Sequence, residues 1–378
     1  ALRGHAHAGV SREGAHLAAL ALSQVRSHGR ARLAFDGRPV AITGPNGSGK
    51  TTLLEAVSYL SPGRGLRRAA AEEVARRGQG DGWKVVGTLV MPPDPGREVE
   101  TFWAPGEARG VRIDGKAASQ PDLARLLPVL WLVPAMDRLW TDAAEGRRRF
   151  LDRAALSFEP AHAEASLLYE KAMRERNRLL KEQSRDGRWF AALERQMAEA
   201  GARVARARAA ALLRLHGAQA QAGGAFPAAT LALTFPEEAP PEAEDAFAEA
   251  LGRGRWRDMA AGRSLLGPHR ADLDATWEAK GVPARDCSTG EQKALLVSLI
   301  LANARALSED GRPPLLLLDE VAAHLDPARR EALFDEVAAL GLQAFMTATE
   351  PALLAPLGGR AQHLGVREEG GASVVEPA

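Results

Sequence analysis

The stretch Gly44-Pro45-Asn46-Gly47-Ser48-Gly49-Lys50-Thr51 matches the spacing G-x-x-x-x-G-K-[ST]. Its flanks are those the spacing requires. The apolar run Val40-Ala41-Ile42 before it reads as a strand, and Thr52-Leu53-Leu54-Glu55-Ala56-Val57 after it reads as a helix. In that setting the glycines let the backbone curl until its N–H groups converge on a phosphate, and the helix N-terminus adds a favourable dipole. The expected contacts of a nucleoside triphosphate are Gly44, Pro45, Asn46, Gly47, Ser48, Gly49 and Thr52 along the loop. Lys50 would bridge the β- and γ-phosphates and the Thr51 hydroxyl would ligate Mg²⁺. A glycine-rich turn matching by chance is the rival, and the flanks count against it.

Outward from this loop, the chain has 378 residues, about 2.5 domains' worth at roughly 150 residues each. Lys and Arg number 49 and Asp and Glu 48, a formal charge of +1, with 46% hydrophobic residues. This is ordinary globular composition, and a basic nucleic-acid footprint would have to be local and offset elsewhere. A single cysteine, Cys287, permits no internal disulfide and fits a reducing cytoplasm. No uninterrupted apolar stretch of about 18 residues suggests a membrane span.

Short β-like pieces, Leu20–Leu22, Ala31–Phe35, Lys84–Met91, Val99–Trp103 and Val111–Ile113, suggest an antiparallel edge attached to a central sheet. From about 122 to 262 Ala, Arg, Leu and Glu dominate with helical spacing, and breaks near Gly187 and Gly201 suggest two antiparallel arms. Ala165 to His216 holds 12 basic and 6 acidic residues, an excess of +6, and an acidic, proline-rich linker follows at Pro236–Asp245. The fold class expected is α/β: a P-loop ATPase head, with a mixed sheet and an antiparallel edge subdomain, split by a mostly α-helical lobe. Its divisions are 1–18 as a poorly ordered N-terminal extension, 19–121 as the first ATPase part, 122–262 as the helical lobe and 263–378 as the second ATPase part.

Leu315-Leu316-Leu317-Leu318-Asp319-Glu320 is an apolar strand ending in two carboxylates. Beside a phosphate loop, Asp319 would hold the Mg²⁺ shell and Glu320 would orient and polarise a water. Ser288-Thr289-Gly290-Glu291-Gln292-Lys293 lies 31 residues upstream of Asp319. Alone it is a helix N-cap; at this position it resembles the signature of ABC-type ATPase heads, whose serine and glycine reach the γ-phosphate held by a partner subunit. His324-Leu325-Asp326 resembles the D-loop of such dimers. Thr347 stands where transporter-type heads carry a switch histidine.

Further strings carry a closer resemblance. They are Gln24-Val25-Arg26-Ser27, Leu53-Leu54-Glu55-Ala56, Ser61-Pro62-Gly63-Arg64-Gly65-Leu66-Arg67-Arg68, Gly146-Arg147-Arg148-Arg149-Phe150-Leu151-Asp152-Arg153, Arg174 to Lys181, and Gly267-Pro268-His269-Arg270-Ala271-Asp272-Leu273. Across roughly Leu20 to Leu364 the chain resembles the RecF family of bacterial DNA replication and repair ATPases. The resemblance implies an ABC-type, SMC-like head that binds ATP and Mg²⁺ and dimerises with ATP sandwiched between subunits. It also implies weak hydrolysis used as a timer, with Lys50, Glu320 and Ser288 as the catalytic set. It implies cytoplasmic work at gapped, single- and double-stranded DNA, with RecR and RecO helping to load RecA in repair, replication and the SOS response. Arg26 is carried over as a nucleotide contact, Ser288, Gly290 and Gln292 as the in-trans signature, and Asp326 as a dimer contact. The chain departs from the family pattern at Thr52, at Ala271, and at Val133–Leu139, where Asp137 is the only carboxylate of its loop. About 17 N-terminal residues match nothing in the pattern.

Arg64, Arg67, Arg68, Arg147 and Arg148 are candidate DNA phosphate contacts, each weighed against a solvated turn or a salt bridge. Arg149 reads as structural and His269 as a hydrogen-bonded core residue. Trp83, Trp103, Trp131, Trp140 and Trp189 are expected in cores. Two other functions stay open: the ATPase subunit of a membrane transporter, against which the missing switch histidine counts, and a generic SMC-like DNA-structural ATPase, for which the helical arms are short.

Overall fold

The computed structural model describes residues 14–78, 82–221 and 224–378. Two units are distinguished, one ending at Pro134 and resuming at Leu307, the other spanning Ala135–Ala306.

The first unit holds two sheets. The antiparallel sheet contains β1 (His16–Val25), β2 (His28–Ala34), β4 (Trp83–Met91), β5 (Asp94–Trp103), β6 (Gly110–Ile113) and β7 (Lys116–Ala118), in the order β2-β1-β4-β5-β6-β7. The second sheet contains β3 (Val40–Thr43), β8 (Val129–Leu132), β12 (Leu315–Leu318), β13 (Ala344–Ala348), β14 (Gln362–Glu369) and β15 (Ala372–Pro377), in the order β15-β14-β3-β13-β12-β8. Only β15 runs antiparallel to its neighbour. The four leucines of β12 are at most 2% exposed, which explains an apolar run without alternation: a central parallel strand is covered on both faces. α1 (Lys50–Ser58) follows β3, α2 (Ala71–Val74) and α3 (Gln120–Leu123) are single turns, and α10 (Pro327–Ala339) separates β12 from β13.

The second unit is built around α4 (Ala144–Phe158), α5 (His162–Lys181) and α6 (Gly187–Gln219). They are followed by α7 (Glu244–Arg253), α8 (Arg255–Ala261) and α9 (Thr289–Glu309), whose last turn passes the unit boundary. A small sheet of β9 (Ala229–Thr234), β10 (Asp272–Trp277) and β11 (Val282–Pro283) completes it. Asp186 caps α6 by accepting from the Arg188 and Trp189 amides at 3.0 Å each.

Five expectations are corrected. The early strands form a sheet of their own, because β1 pairs with β2 and β4 and none of its members pairs with the parallel sheet; the antiparallel edge of that parallel sheet is β15. The helical lobe does not begin at 122: β8 pairs with β12, so residues 129–132 belong to the ATPase sheet. Nor does it end at 262, since β10, β11 and the start of α9 lie in the same unit. Gly201 interrupts nothing. It sits inside α6, where a Cβ would stand 2.8 Å from the Phe247 ring and 2.9 Å from that of Tyr169, so glycine is there for close packing. Of the supposed N-terminal extension, residues 16–18 are already in β1, and Leu17 is fully buried, with its N–H and C=O bonded by the Gln343 amide at 2.8 and 3.0 Å. Residues 1–13 lie outside the described residues.

Candidate nucleotide site

Parallel register assembles the site in the first unit. Ile42 pairs with Thr347 and Leu318 with Met346, so the phosphate loop, Asp319 and Thr347 all emerge at the carboxyl edge of adjacent strands. Two glycines are required there. At Gly44 (φ 156) a Cβ would lie 2.1 Å from the Val366 carbonyl, and at Gly49 (φ 104) it would meet Ser373 Oγ, Ser27 Oγ and His28 Nε2 within 2.9 Å. His28 Nε2 donates to the Gly49 carbonyl at 3.1 Å, and burial lowers the pKa of this imidazole. Lys50, 4% exposed, donates to the Gly44 and Pro45 carbonyls at 2.8 Å each. Burial lowers its pKa, and Glu320 and Asp319 work in the opposite direction.

The Thr51 hydroxyl donates to Asp319 Oδ1 at 2.9 Å, joining the loop to the strand carboxylate across 268 residues of sequence. Thr347, at the position of the switch histidine in transporter-type heads, has a role the sequence did not disclose. Its hydroxyl donates to the same Asp319 oxygen at 2.7 Å and accepts the Glu320 N–H at 2.9 Å. Glu320 adopts a left-handed φ of 54°, uncommon outside glycine, and this fixed turn accompanies a side chain that lines the cavity.

That cavity, about 270 Å³, is lined by Arg26, Ser27, Asn46, Gly47, Gly49, Lys50, Thr51, Thr52, Arg67 and Glu320. Arg26 therefore lines the cavity beside the phosphate loop. Arg67, a DNA candidate, stands on the wall of this cavity instead. Both pair with Glu55, which is fully buried: Arg26 through Nε and at 2.8 Å through NH2, Arg67 at 3.5 Å. The hydrogen bond to Glu55 raises the Arg26 pKa further. Arg109, half-buried across the Tyr59 ring, donates to the Tyr59 and Gly63 carbonyls at 2.5 Å and anchors the loop that carries Arg64, Arg67 and Arg68; desolvation lowers it to about 10.

In the second unit, Ser288, Thr289 and Gly290 are exposed at the start of α9. Ser288 donates its hydroxyl and its N–H to the Glu291 carboxylate at 2.8 Å each, a local contact at the helix start like the N-cap that is the rival to a signature. Hydrogen bonds from Lys280 and Ser288 hold the Glu291 carboxyl down at about 2. Gln292 is corrected: it is 5% exposed and its amide donates to the Cys287 carbonyl at 2.9 Å, so its side chain is used inside the chain. Asp137 pairs with buried Lys293 at 3.1 Å, tying its loop to the signature helix. Asp326 is exposed and caps α10 by accepting the Arg329 amide at 2.9 Å.

Two of the family strings brace one another in this unit. Arg147 forms a two-pronged pair with Asp272 at 2.7 and 2.8 Å and donates to the Asp142 carbonyl at 2.6 Å; Arg148 donates to the Ala271 carbonyl at 2.9 Å. Both therefore brace the Gly267–Leu273 segment, Arg147 through a salt bridge and Arg148 through one hydrogen bond, which favours the structural alternative over a DNA contact, most of all for Arg147. Arg208 joins Asp152 at 2.8 and 2.9 Å to the Pro268 carbonyl at 2.6 Å. Burial works to raise Asp152, but His162 and Arg208 overcome it and hold the carboxyl at about 2. His269 accepts from the Tyr169 hydroxyl at 2.7 Å and donates to the Ser264 carbonyl at 3.0 Å; burial lowers it to about 4. Arg176, fully buried between Glu194 and Asp258, escaped the sequence reading. Arg149 pairs with Glu145 one turn away. Trp83 and Trp140 are buried as expected, but Trp189 is 45% exposed under the Arg178 guanidinium, and Trp256, not weighed from sequence, is 71% exposed. Arg64, Arg174, Arg185 and Arg188 are exposed.

Among the described residues no helix is long and apolar enough to cross a membrane. Residues 16–369 match the family described as RecF/RecN/SMC N terminal domain. A protein of Mesorhizobium japonicum called DNA replication and repair protein RecF is 50% identical over 93% of this chain and 96% of its own. One of the same name from Brucella suis biovar 1 is 48% identical over 92% and 93%. Two solved structures, described as the recombination mediator protein RecF with ATPrS and with ATP in the RecFOR pathway, superpose with TM-scores of 0.80 and 0.79. They are 22% and 21% identical, and each comparison covers 97% of this chain and 99% of the other. By sequence along nearly its whole length, the chain belongs to the RecF family within the RecF/RecN/SMC group.

Proposed function

We propose that this chain is an ATP-switched DNA-binding protein of replication and recombinational repair, whose nucleotide site is completed by a second copy. The observation that carries the reading is the Thr51–Asp319–Thr347 chain of hydrogen bonds beneath a glycine loop, with Glu320 beside it. Exposed Ser288 and Gly290 stand on the other unit, free to meet another copy's nucleotide. Lys50 would exchange two carbonyl acceptors for the β- and γ-phosphates, and the Glu320 carboxylate would orient the attacking water.

The donor set suits Mg²⁺, a hard cation that takes one carboxylate and one hydroxyl and keeps the rest of its shell for phosphate and water. Thr51 and Asp319 would hold it, and when bound it would neutralise phosphate charge. Slow hydrolysis then separates the copies. Exposed Arg64 and Arg68 are the remaining basic candidates for DNA backbone contact, and RecO, RecR and, through them, RecA are the partners expected in the cytoplasm. The relatives' names and the RecF–ATP description support this reading.

Sedimentation of the Glu320→Gln protein tests it. A dimer that appears only with ATP and Mg²⁺ is expected; a monomer at saturating ATP and Mg²⁺ would sink the proposal.

A further inference from the structure

Glu55 lies five residues after Lys50 on α1 and is fully buried, yet it is a carboxylate. A buried charge is tolerated only when paired, and here the partners are two guanidiniums, Arg26 and Arg67, that both line the nucleotide cavity. The two are held differently. Arg26 engages Glu55 through Nε and NH2, donates a third time to the Glu73 carbonyl at 3.2 Å, and has its own N–H fixed on the Val74 carbonyl at 2.8 Å. It sits at φ 47 in the turn between β1 and β2, a strained conformation for arginine that the surrounding bonds maintain. Arg67 touches Glu55 by one nitrogen at 3.5 Å, and its side chain is 39% exposed. One carboxylate thus serves two arginines, holding Arg26 through two nitrogens and Arg67 through one.

We propose that Glu55 is a positioning residue for the nucleotide: it locks Arg26 as a fixed wall and keeps Arg67 loosely tethered, so that Arg67 moves onto a phosphate oxygen of bound ATP. This rests on the reading of the glycine loop as an ATP site. A carboxylate at 55 serves packing poorly, since a neutral side chain of that size would fill the same space at lower desolvation cost. A hub shared by two arginines also makes their contributions to binding interdependent, which separate surface arginines would not show.

The experiment is calorimetric titration of ATP with Mg²⁺ into the full-length protein and into Glu55→Gln, Arg67→Gln and the double variant, with a thermal melt of each. Glu55→Gln and Arg67→Gln are each expected to weaken ATP about tenfold, the loss of a hydrogen bond between charged groups. The double variant is expected to bind no worse than either, because an Arg67 that Glu55 no longer aims makes no phosphate contact for the second change to remove. A folded Glu55→Gln protein with unchanged ATP affinity, or losses that multiply to about a hundredfold in the double variant, would overturn the role of Glu55 alone. Failure of the unmodified protein to bind ATP would overturn the nucleotide reading and this role together. Should Glu55→Gln not fold, the half-exposed pair Arg26→Gln and Arg67→Gln decides the same question. Removing Arg26 frees Glu55 to draw Arg67 fully onto itself, so Arg26→Gln should weaken ATP as much as the double variant, whereas independent losses would overturn the role.

Discussion

The phosphate loop and the signature are both parts of one proposed ATP site, yet they are built in opposite ways. The loop half is finished within its own unit: Lys50 and Asp319 are 4% and 5% exposed, and strand register brings Thr51, Asp319 and Thr347 into one hydrogen-bonded chain. In the signature half Ser288 and Gly290 are exposed, and the Ser288 hydroxyl and N–H are turned to Glu291 at the start of its own helix. A helix cap is a weak local interaction, worth about 1 kcal/mol, that a phosphate could replace. On the proposed reading, the difference means that a nucleotide enters a preformed half-site in a single copy, while the second half acts only when another copy supplies the ligand.

The largest effect should come from the preformed half. Lys50→Ala is expected to weaken ATP by about a hundredfold or more, because it removes the charged donor of the site; equilibrium binding checks this. Acid should act on the other unit. His269 has a folded pKa of about 4 against an ordinary 6.5, so the unfolded chain takes up its proton first. The stability this site contributes is intact above about pH 6.5 and is lost as pH falls toward 4, by up to about 3 kcal/mol. Denaturant titrations across that window should show the slope, and His269→Gln should flatten it. Arg147→Ala should destabilise the same unit by about 2 kcal/mol through loss of the Asp272 pair, while leaving the salt dependence of DNA binding unchanged. A shallower salt slope would return Arg147 to the DNA contacts. The smallest change is Thr347→Val, which strands the Glu320 N–H; hydrolysis should fall about tenfold with ATP affinity nearly kept, as single-turnover measurement would show.

What the sequence made legible was whatever has a fixed local spacing. The glycine loop, the Asp319-Glu320 strand end and the Ser288 cap each sit where their patterns indicate, because backbone geometry alone dictates those residue types. Long-range pairing was not legible. Nothing near Thr347 in the chain indicates that its hydroxyl meets Asp319, 28 residues away, and nothing near Glu55 indicates two arginines from separate turns. The choice between DNA contact and salt bridge at Arg147 is undecidable locally for the same reason: a run of arginines looks like a phosphate surface until Asp272, 125 residues later, is seen beside it. β9 went unrecognised although Thr230-Leu231-Ala232-Leu233-Thr234 alternates, since the surrounding Ala-rich segments carry helical spacing. The +1 net charge hid both the basic helices and the buried ion pairs that use many of those charges.

The division of the site between copies can be measured directly by mixing. A Lys50→Ala chain retains its signature, and a Ser288→Arg chain retains its phosphate loop; each alone should be deficient in ATP hydrolysis. Mixed in equal amounts, they should regain hydrolysis well above the sum of the two, because one composite site per mixed dimer is complete. Hydrolysis of the mixture equal to that sum, under conditions where the unmodified chain dimerises with ATP, would contradict a site shared between two copies.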